Sequence, residues 1–173
     1  WEIMAGIWKL HSVTGSISGS SGGYQLARQP KPEKSPNFYT LEGGGTNAVV
    51  LAGEPFYNRY VYRAAVQHNS GTNGLVFLAC ERGGYFAFTA RTDPATDRLI
   101  LELWRQPAQA DAPAVPLDAV QTELPAGQWL LLEVQLLDDR IICRADNIEV
   151  IRRKTPLPPG GRFGLFSNMS DGE

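Results

Sequence analysis

Few side chains in this sequence could do chemistry, and their spacing limits what that chemistry is. A retaining glycoside hydrolase needs two carboxyl groups about 5–5.5 Å apart, one as nucleophile and one as acid. On a strand, residues i and i+2 share a face, so such a pair falls two positions apart within one strand. No such array occurs. Glu102 shares its face with Ile100 and Trp104, and Glu133 with Leu131 and Gln135. Both are expected to be solvent-facing strand residues. Asp93 and Asp97 bracket a short turn. They are the candidates for a Ca²⁺ site completed by backbone carbonyls, but turn capping is the expected role.

Cys80 and Cys143 are 63 positions apart (143 − 80), which is neither a zinc pattern nor a C-x-x-C redox motif. Both sit in apolar runs and are expected to be small buried hydrophobes. The alternative is one disulfide between two strands, which requires Cα atoms within about 7 Å. His11 and His68 are the only histidines, and nothing ties either to a cysteine. The Ser-rich stretch Ser16–Gly23 lacks the Lys-Ser/Thr and the helix of a phosphate loop, so it is expected to be a connection. Arg152-Arg153-Lys154 is expected to be a solvated rim, with contact to an anionic glycan or lipid as the alternative.

The elements that position these residues are short. Runs rich in Val, Ile, Leu, Tyr, Phe and Trp recur along the chain, bounded by Gly, Pro, Asn or Asp. Helical periodicity is absent, so antiparallel strands in a sandwich or barrel are expected. The runs are Ile7–Val13 at an edge, Tyr24–Gln29, Asn37–Glu42 and Asn47–Ala52 flanking three glycines, and Asn58–Gln67. Then come Gly74–Glu81, Tyr85–Arg91, Asp97–Arg105, Gln128–Leu137, Arg140–Asp146, Ile148–Arg152 and Arg162–Ser167. Arg82-Gly83-Gly84 and Asp138-Asp139 read as hairpin turns. Tyr60, Tyr62, Ala64 and Val66 share one face of their strand. Leu75–Cys80, Leu130–Leu132 and Ile141–Cys143 are apolar on both faces and read as central strands. Gln29–Pro36 and Pro107–Pro116 read as exposed loops inside one domain spanning residues 1–173.

Hydrophobic residues make up 43% of the 173, enough for a sizeable core without a metal or disulfide to support it. Lys plus Arg is 16 against 18 for Asp plus Glu, a formal charge of −2, so a nucleic-acid partner is not expected. No apolar run approaches the roughly 20 residues of a membrane-spanning helix, so membrane insertion is not expected. The chain opens at Trp1 without a leader pattern and is expected to be a fragment of a longer protein.

Several short motifs in order resemble the concanavalin A-like, laminin-G-like jelly-roll superfamily. Gly6-Ile7-Trp8 with Gly15-Ser16-Ile17 looks like its first hairpin, and Phe56–Val61 like its f-x-d-y-x-v strand. Asn73–Phe77 and Gly84–Phe88 look like the next hairpin, and Ala126-Gly127-Gln128-Trp129 like p-G-x-W. Arg140–Asp146 looks like x-i-x-v-x-l-D-G, with Asn147 where the family has Gly, and Pro159–Phe166 like p-G-x-x-G-l. More narrowly, Gly45–Gly53 and Gly127–Leu132 look like laminin-G-like modules of bacterial phage-tail-type proteins. The resemblance implies an all-β, two-sheet antiparallel sandwich. It also implies a last strand beyond Ser170–Glu173, so the fragment is expected to lack that strand, leaving an unpaired edge. Sugar hydrolases of this fold usually carry W-N where Trp129-Leu130 stands, so the resemblance implies a non-enzyme.

What remains is recognition. Sugar sites set aromatic rings against the apolar faces of pyranose rings and add hydrogen bonds from carboxylates, amides and Arg. The candidate residues are Tyr57, Glu81, Arg82, Tyr85, Arg91, Trp104 and Arg105, with Tyr60 and Tyr62 as further aromatics. For each aromatic, core packing competes with ligand contact. Trp8 and Trp129 fall at positions that pack in the family's core. The expected partner is a glycan or cell-surface polysaccharide, reached as part of a larger extracellular or cell-surface protein. Protein subunits of an assembly are the alternative partner. No cofactor is expected beyond the Ca²⁺ candidate.

Overall fold

Period-two alternation governs the folded chain. The computed structural model describes residues 1–12, 39–68, 70–80, 84–109 and 112–169. Its regular elements are strands: β1 (Glu2–Ser12), β2 (Tyr39–Ala52), β3 (Val61–Gln67), β4 (Thr72–Ala79), β5 (Tyr85–Asp93) and β6 (Arg98–Gln106). They continue with β7 (Val115–Pro125), β8 (Trp129–Leu137), β9 (Arg140–Ala145), β10 (Ile148–Lys154) and β11 (Arg162–Asn168). They form a seven-stranded sheet in the order β1-β2-β11-β4-β5-β6-β7 and a four-stranded sheet in the order β10-β9-β8-β3. Every pairing is antiparallel. Among the described residues, no helix is long and apolar enough to cross a membrane.

The two sheets bury one core between them. Leu75 and Phe77 of β4, Phe86, Phe88 and Ala90 of β5, and Leu99, Leu101 and Leu103 of β6 face the small sheet. Leu130, Leu132, Val134 and Leu136 of β8, with Ile141 and Cys143 of β9, meet them. The shared face of Tyr60, Tyr62, Ala64 and Val66 packs on this core as its alternation requires. The Tyr62 hydroxyl donates to the Gly164 carbonyl (3.1 Å), and the Leu78 N–H donates to the Tyr60 hydroxyl (3.2 Å). Burial pushes the Tyr60 phenol up to about 12 and the Tyr62 phenol higher still. Both tyrosines therefore tie the sheets together.

A second, smaller apolar cluster lies on the opposite face of the large sheet. Val49 and Leu51 (β2), Val76 and Ala79 (β4) and Phe166 (β11) form it, with Tyr85 and Trp104 against it. This cluster explains why β4 is apolar on both faces.

Several expectations are corrected. The runs Asn37–Glu42 and Asn47–Ala52 belong to one strand, β2, which continues through Gly43-Gly44-Gly45. A Cβ at Gly43 would lie 2.7 Å from the Trp8 ring and 2.8 Å from Ser167 Cβ, so glycine there admits close packing and does not break the strand. Gly45, at φ +92°, accommodates the irregular register with β1. Part of the supposed Pro107–Pro116 loop and the residues after it form β7. Cys143 is buried, but Cys80 is exposed, and both are free thiols, which excludes the disulfide. Glu133 is not solvent-facing: only 9% exposed, it is bound by Arg144 (2.7 Å) and Arg63 (3.1 Å). Trp8 and Trp129 are half-buried and line a cavity of about 590 Å³ where the sheets part. Arg152, Arg153 and Lys154, by contrast, are exposed as expected of a solvated rim, with Arg152 and Lys154 paired to Glu149 and Asp139.

Other expectations hold. Asp138-Asp139 joins β8 to β9. Asp146 (φ 48°) and Asn147 (φ 68°) form the left-handed turn joining β9 to β10, a conformation that Asn and Asp adopt more readily than most residues. β4 and β5 pair as a hairpin closed by Cys80 N–H to Gly84 O (2.9 Å). The stretches Ser16–Gly23, Tyr24–Gln29 and Gln29–Pro36, the turn residues Arg82 and Gly83, and Ser170–Glu173 lie outside the described residues.

Candidate functional site

The outer face of the large sheet is set by register. One row across it runs Phe166, Gly74, Thr89, Glu102 and Ala119, on β11, β4, β5, β6 and β7. The adjacent row on one side is Asn168, Thr72, Arg91 and Ile100, and on the other Gly164, Val76, Ala87, Trp104 and Pro116. Alternation sends these side chains away from the core. Aromatic, charged and amide groups thereby meet on one surface although they are far apart in sequence.

Trp104 is held in place. Its indole N–H donates to Thr89 Oγ1 (3.0 Å), and Thr89 is fully buried. Its ring meets Phe166 edge-on at 5.2 Å between centroids and Tyr85 at 5.7 Å. Tyr85 acts as a buttress, its phenol pushed up to about 12 by burial. Beside Trp104, Arg91 places both Nε and Nη2 at 2.9 Å from Glu102 Oε1. Glu102 is therefore half-buried and ion-paired, which the sequence did not foretell.

An open depression of about 510 Å³ lies over this surface. Trp104, Glu102, Phe166, Asn47, Asn168 and Thr72 line the sheet side, and Pro113, Pro116 and Asp118 form the far wall. Asn168 is positioned by the Asn47 N–H donating to its Oδ1 (3.2 Å), with Asn47 in the left-handed region at φ 51°. Gln106 is held by its Nε2 donating to Ala112 O (2.9 Å). The depression thus combines a fixed indole, carboxylates and neutral polar groups. That composition fits a small polyhydroxylated ligand better than a purely apolar one.

Of the sequence candidates, Tyr85, Arg91 and Trp104 share this face. Tyr57 lies in the segment before β3, stacked near Phe163 (6.4 Å, 11°) and edge-on to Phe56 (5.2 Å). Arg105 points the other way along β6, over the Phe86 ring at 6.0 Å. Glu81 and Arg82 lie outside the described residues. Asp93 caps its turn: Ala95 N–H donates to Oδ1 (3.0 Å), and Thr96 Oγ1 (2.9 Å) and Gln121 Nε2 (2.8 Å) donate to Oδ2. The hydrogen bonds from Ala95 and Thr96, with the nearby Arg91 charge, hold its carboxyl below the usual range. Asp97 takes the left-handed end of that turn at φ 54°. Among the described residues, no group of three His, Cys, Asp or Glu is arranged to hold a metal ion.

Asn47, Thr72, Phe166, Asn168 and Asp118 were not singled out from the sequence. Strand register brings the first four to the face. Asp118 depends on β7, whose alternating Val120, Thr122 and Leu124 was the signal available.

No protein-family model matches the sequence, and no curated protein matches it. Solved structures do. A carbohydrate-binding module from Bacillus subtilis superposes with a TM-score of 0.57 at 16% identity, covering 74% of this chain and 78% of that one. The Crh5 transglycosylase gives 0.49 at 10% identity, with 73% of this chain matched to 54% of that one. Sheep galectin-11 gives 0.42 at 14%, covering 64% and 95%. At these identities the likeness is one of fold. The chain has the two-sheet jelly-roll sandwich that its motifs resemble.

Proposed function

We propose that this chain is a non-catalytic carbohydrate-binding module, with its site on the outer face of the large sheet around Trp104. The observation that carries the proposal is the depression in which a rigidly held indole stands beside free hydrogen-bonding groups. An indole edge or face packs against the C–H surface of a sugar ring. Asn47, Thr72, Asn168 and the Glu102 carboxylate supply the polar contacts that orient hydroxyls. The carbohydrate-binding module from Bacillus subtilis supports this by fold analogy, which alone assigns no ligand. The parent is a larger bacterial surface, secreted or phage-tail-like protein, in which the module serves adhesion.

We assign no catalysis. Glu102 is flanked on its face by Ile100 and Trp104, and its Oε1 is occupied by Arg91. A glycan array probed with the chain, in Ca²⁺ and again in chelator, tests the proposal. Binding to a defined glycan class is expected in both conditions. Hydrolysis of a bound glycan that is lost in Glu102→Gln or Asp118→Asn would replace the binding module with an enzyme.

One observation favours a second role, docking of a neighbouring subunit. Among the described residues β1 is an edge strand paired only to β2, and its Ile3, Met4, Ile7 and Leu10 are exposed, Ile7 at 67%. Unpaired backbone beside large apolar side chains is an association surface. If the chain binds no glycan and self-associates or captures co-assembled subunits, and Ile7→Lys abolishes that, this role displaces the first.

A further inference from the structure

Given the outer face as a glycan site, its charges define which glycans enter. The charged side chains lining the depression, among the described residues, are Glu102 and Asp118, both anionic. The cation beside them, Arg91, already gives Nε and Nη2 to Glu102 Oε1. Farther along the sheet, Arg98 and Arg162 are likewise bound to Glu123 (2.8 Å) and Glu2 (2.6 Å). No uncommitted guanidinium or ammonium therefore faces the depression among the described residues. Its acceptors are free by contrast: Glu102 Oε2 has no partner among the described residues, and Asp118 uses Oδ1 for the Ala119 N–H (3.0 Å).

From this arrangement we infer that the site takes neutral polyhydroxylated glycans and rejects uronate-bearing or sulfated ones. Sugar hydroxyls donate to carboxylate oxygens in charge-assisted hydrogen bonds, the strong class of such contacts. Asn47, Thr72, Asn168 and Gln106 add uncharged donors and acceptors. A polymer carrying its own carboxylate or sulfate would instead set like charges together in a partly desolvated depression. Like-charge juxtaposition across a contact is strongly unfavourable. The neighbouring cation among the described residues, Arg91, would first have to leave Glu102. Discrimination of roughly tenfold or more in affinity is expected at low salt, shrinking as salt screens it.

Affinity electrophoresis of the chain through gels containing single polymers tests this, with chelator present so that no Ca²⁺ bridges anions to the carboxylates. The neutral probes are a galactan, a mannan and a β-glucan. The anionic probes are polygalacturonate and dextran sulfate. Retardation by at least one neutral polymer and by neither anionic one is expected. Glu102→Gln keeps the side-chain shape but removes the ion-pair partner of Arg91, and it should gain retardation by the anionic probes. Asp118→Asn, on an exposed residue, should shift the balance the same way, and melting curves verify that both variants fold. Wild-type retardation by an anionic probe, or no anionic gain in either folded variant, overturns the inference while leaving the glycan site standing. Retardation by no polymer in either class overturns both.

Discussion

Trp104 and Thr89 offer a sharp test of how the outer face is built. The indole N–H donates to the hydroxyl of a threonine with no solvent exposure, so each group depends on the other. Trp104→Phe keeps an aromatic ring between Phe166 and Tyr85 but orphans the Thr89 hydroxyl. A buried hydroxyl left unsatisfied costs about 1–3 kcal/mol. The lost ring volume adds roughly 1 kcal/mol, since the site is half-buried and can partly relax. The single variant should therefore be about 2–4 kcal/mol less stable. Thr89→Val, a near-isosteric change, removes the other partner and should cost about 1 kcal/mol alone. In the double variant neither polar group is stranded. It should be no less stable than Trp104→Phe, a coupling of roughly 1–2 kcal/mol. Urea unfolding followed by far-ultraviolet circular dichroism measures all four proteins. Costs that add within about 0.5 kcal/mol would refute a supporting hydrogen bond beneath the indole.

Other consequences follow from the same structure. His68 is 1% exposed, with Nε2 at 2.8 Å from Thr92 Oγ1 and Nδ1 buried without a partner, and burial lowers its pKa below 6.5. The folded state thus resists protonation that the unfolded chain accepts. Stability should be complete above about pH 6.5 and fall as pH drops through the lowered folded value, by at most about 1.4 kcal/mol per pH unit. Urea midpoints measured between pH 7.5 and 5 should show this fall, and His68→Gln should flatten it. Gly164 has no room for a side chain, because a Cβ would lie 1.9 Å from Val50 O. Gly164→Ala should destabilise by more than about 2 kcal/mol, read as a depressed melting temperature, whereas Gly44→Ala, with its nearest neighbour at 3.9 Å, should change little. A thiol reagent should modify Cys80 in the native chain and reach Cys143, whose thiol burial pushes up, only after denaturation.

The strands were legible where one face meets the core. Tyr60 to Val66 and Arg98 to Gln106 announce themselves by alternation. The apolar run at β4 likewise revealed a strand covered on both sides. β7 escaped notice because Pro116 and the Ala-rich residues before it mask the alternation that begins at Val120. β2 looked like two strands because glycine usually ends one, while here it makes space for Trp8. The site was less legible than the fold. Trp104 and Arg91 were noticed by residue type, but Asn47, Thr72, Phe166 and Asn168 join them only through the pairing of β11 with β2 and β4. Strand order in a sheet is a long-range property, and local pattern does not encode it. The pairing of Glu102 with Arg91 likewise arises diagonally across β5 and β6.

The measurement that bears most directly on the glycan site is amide chemical-shift mapping of the isotopically labelled chain, titrated with neutral oligosaccharides. Shifts should saturate and cluster at Thr72, Thr89, Arg91, Glu102, Trp104, Phe166 and Asn168, and Trp104→Ala should weaken binding roughly tenfold or more. Saturating shifts confined to the small sheet around Arg63, Glu133 and Arg144, or binding unchanged in a folded Trp104→Ala variant, would contradict a glycan site on the outer face.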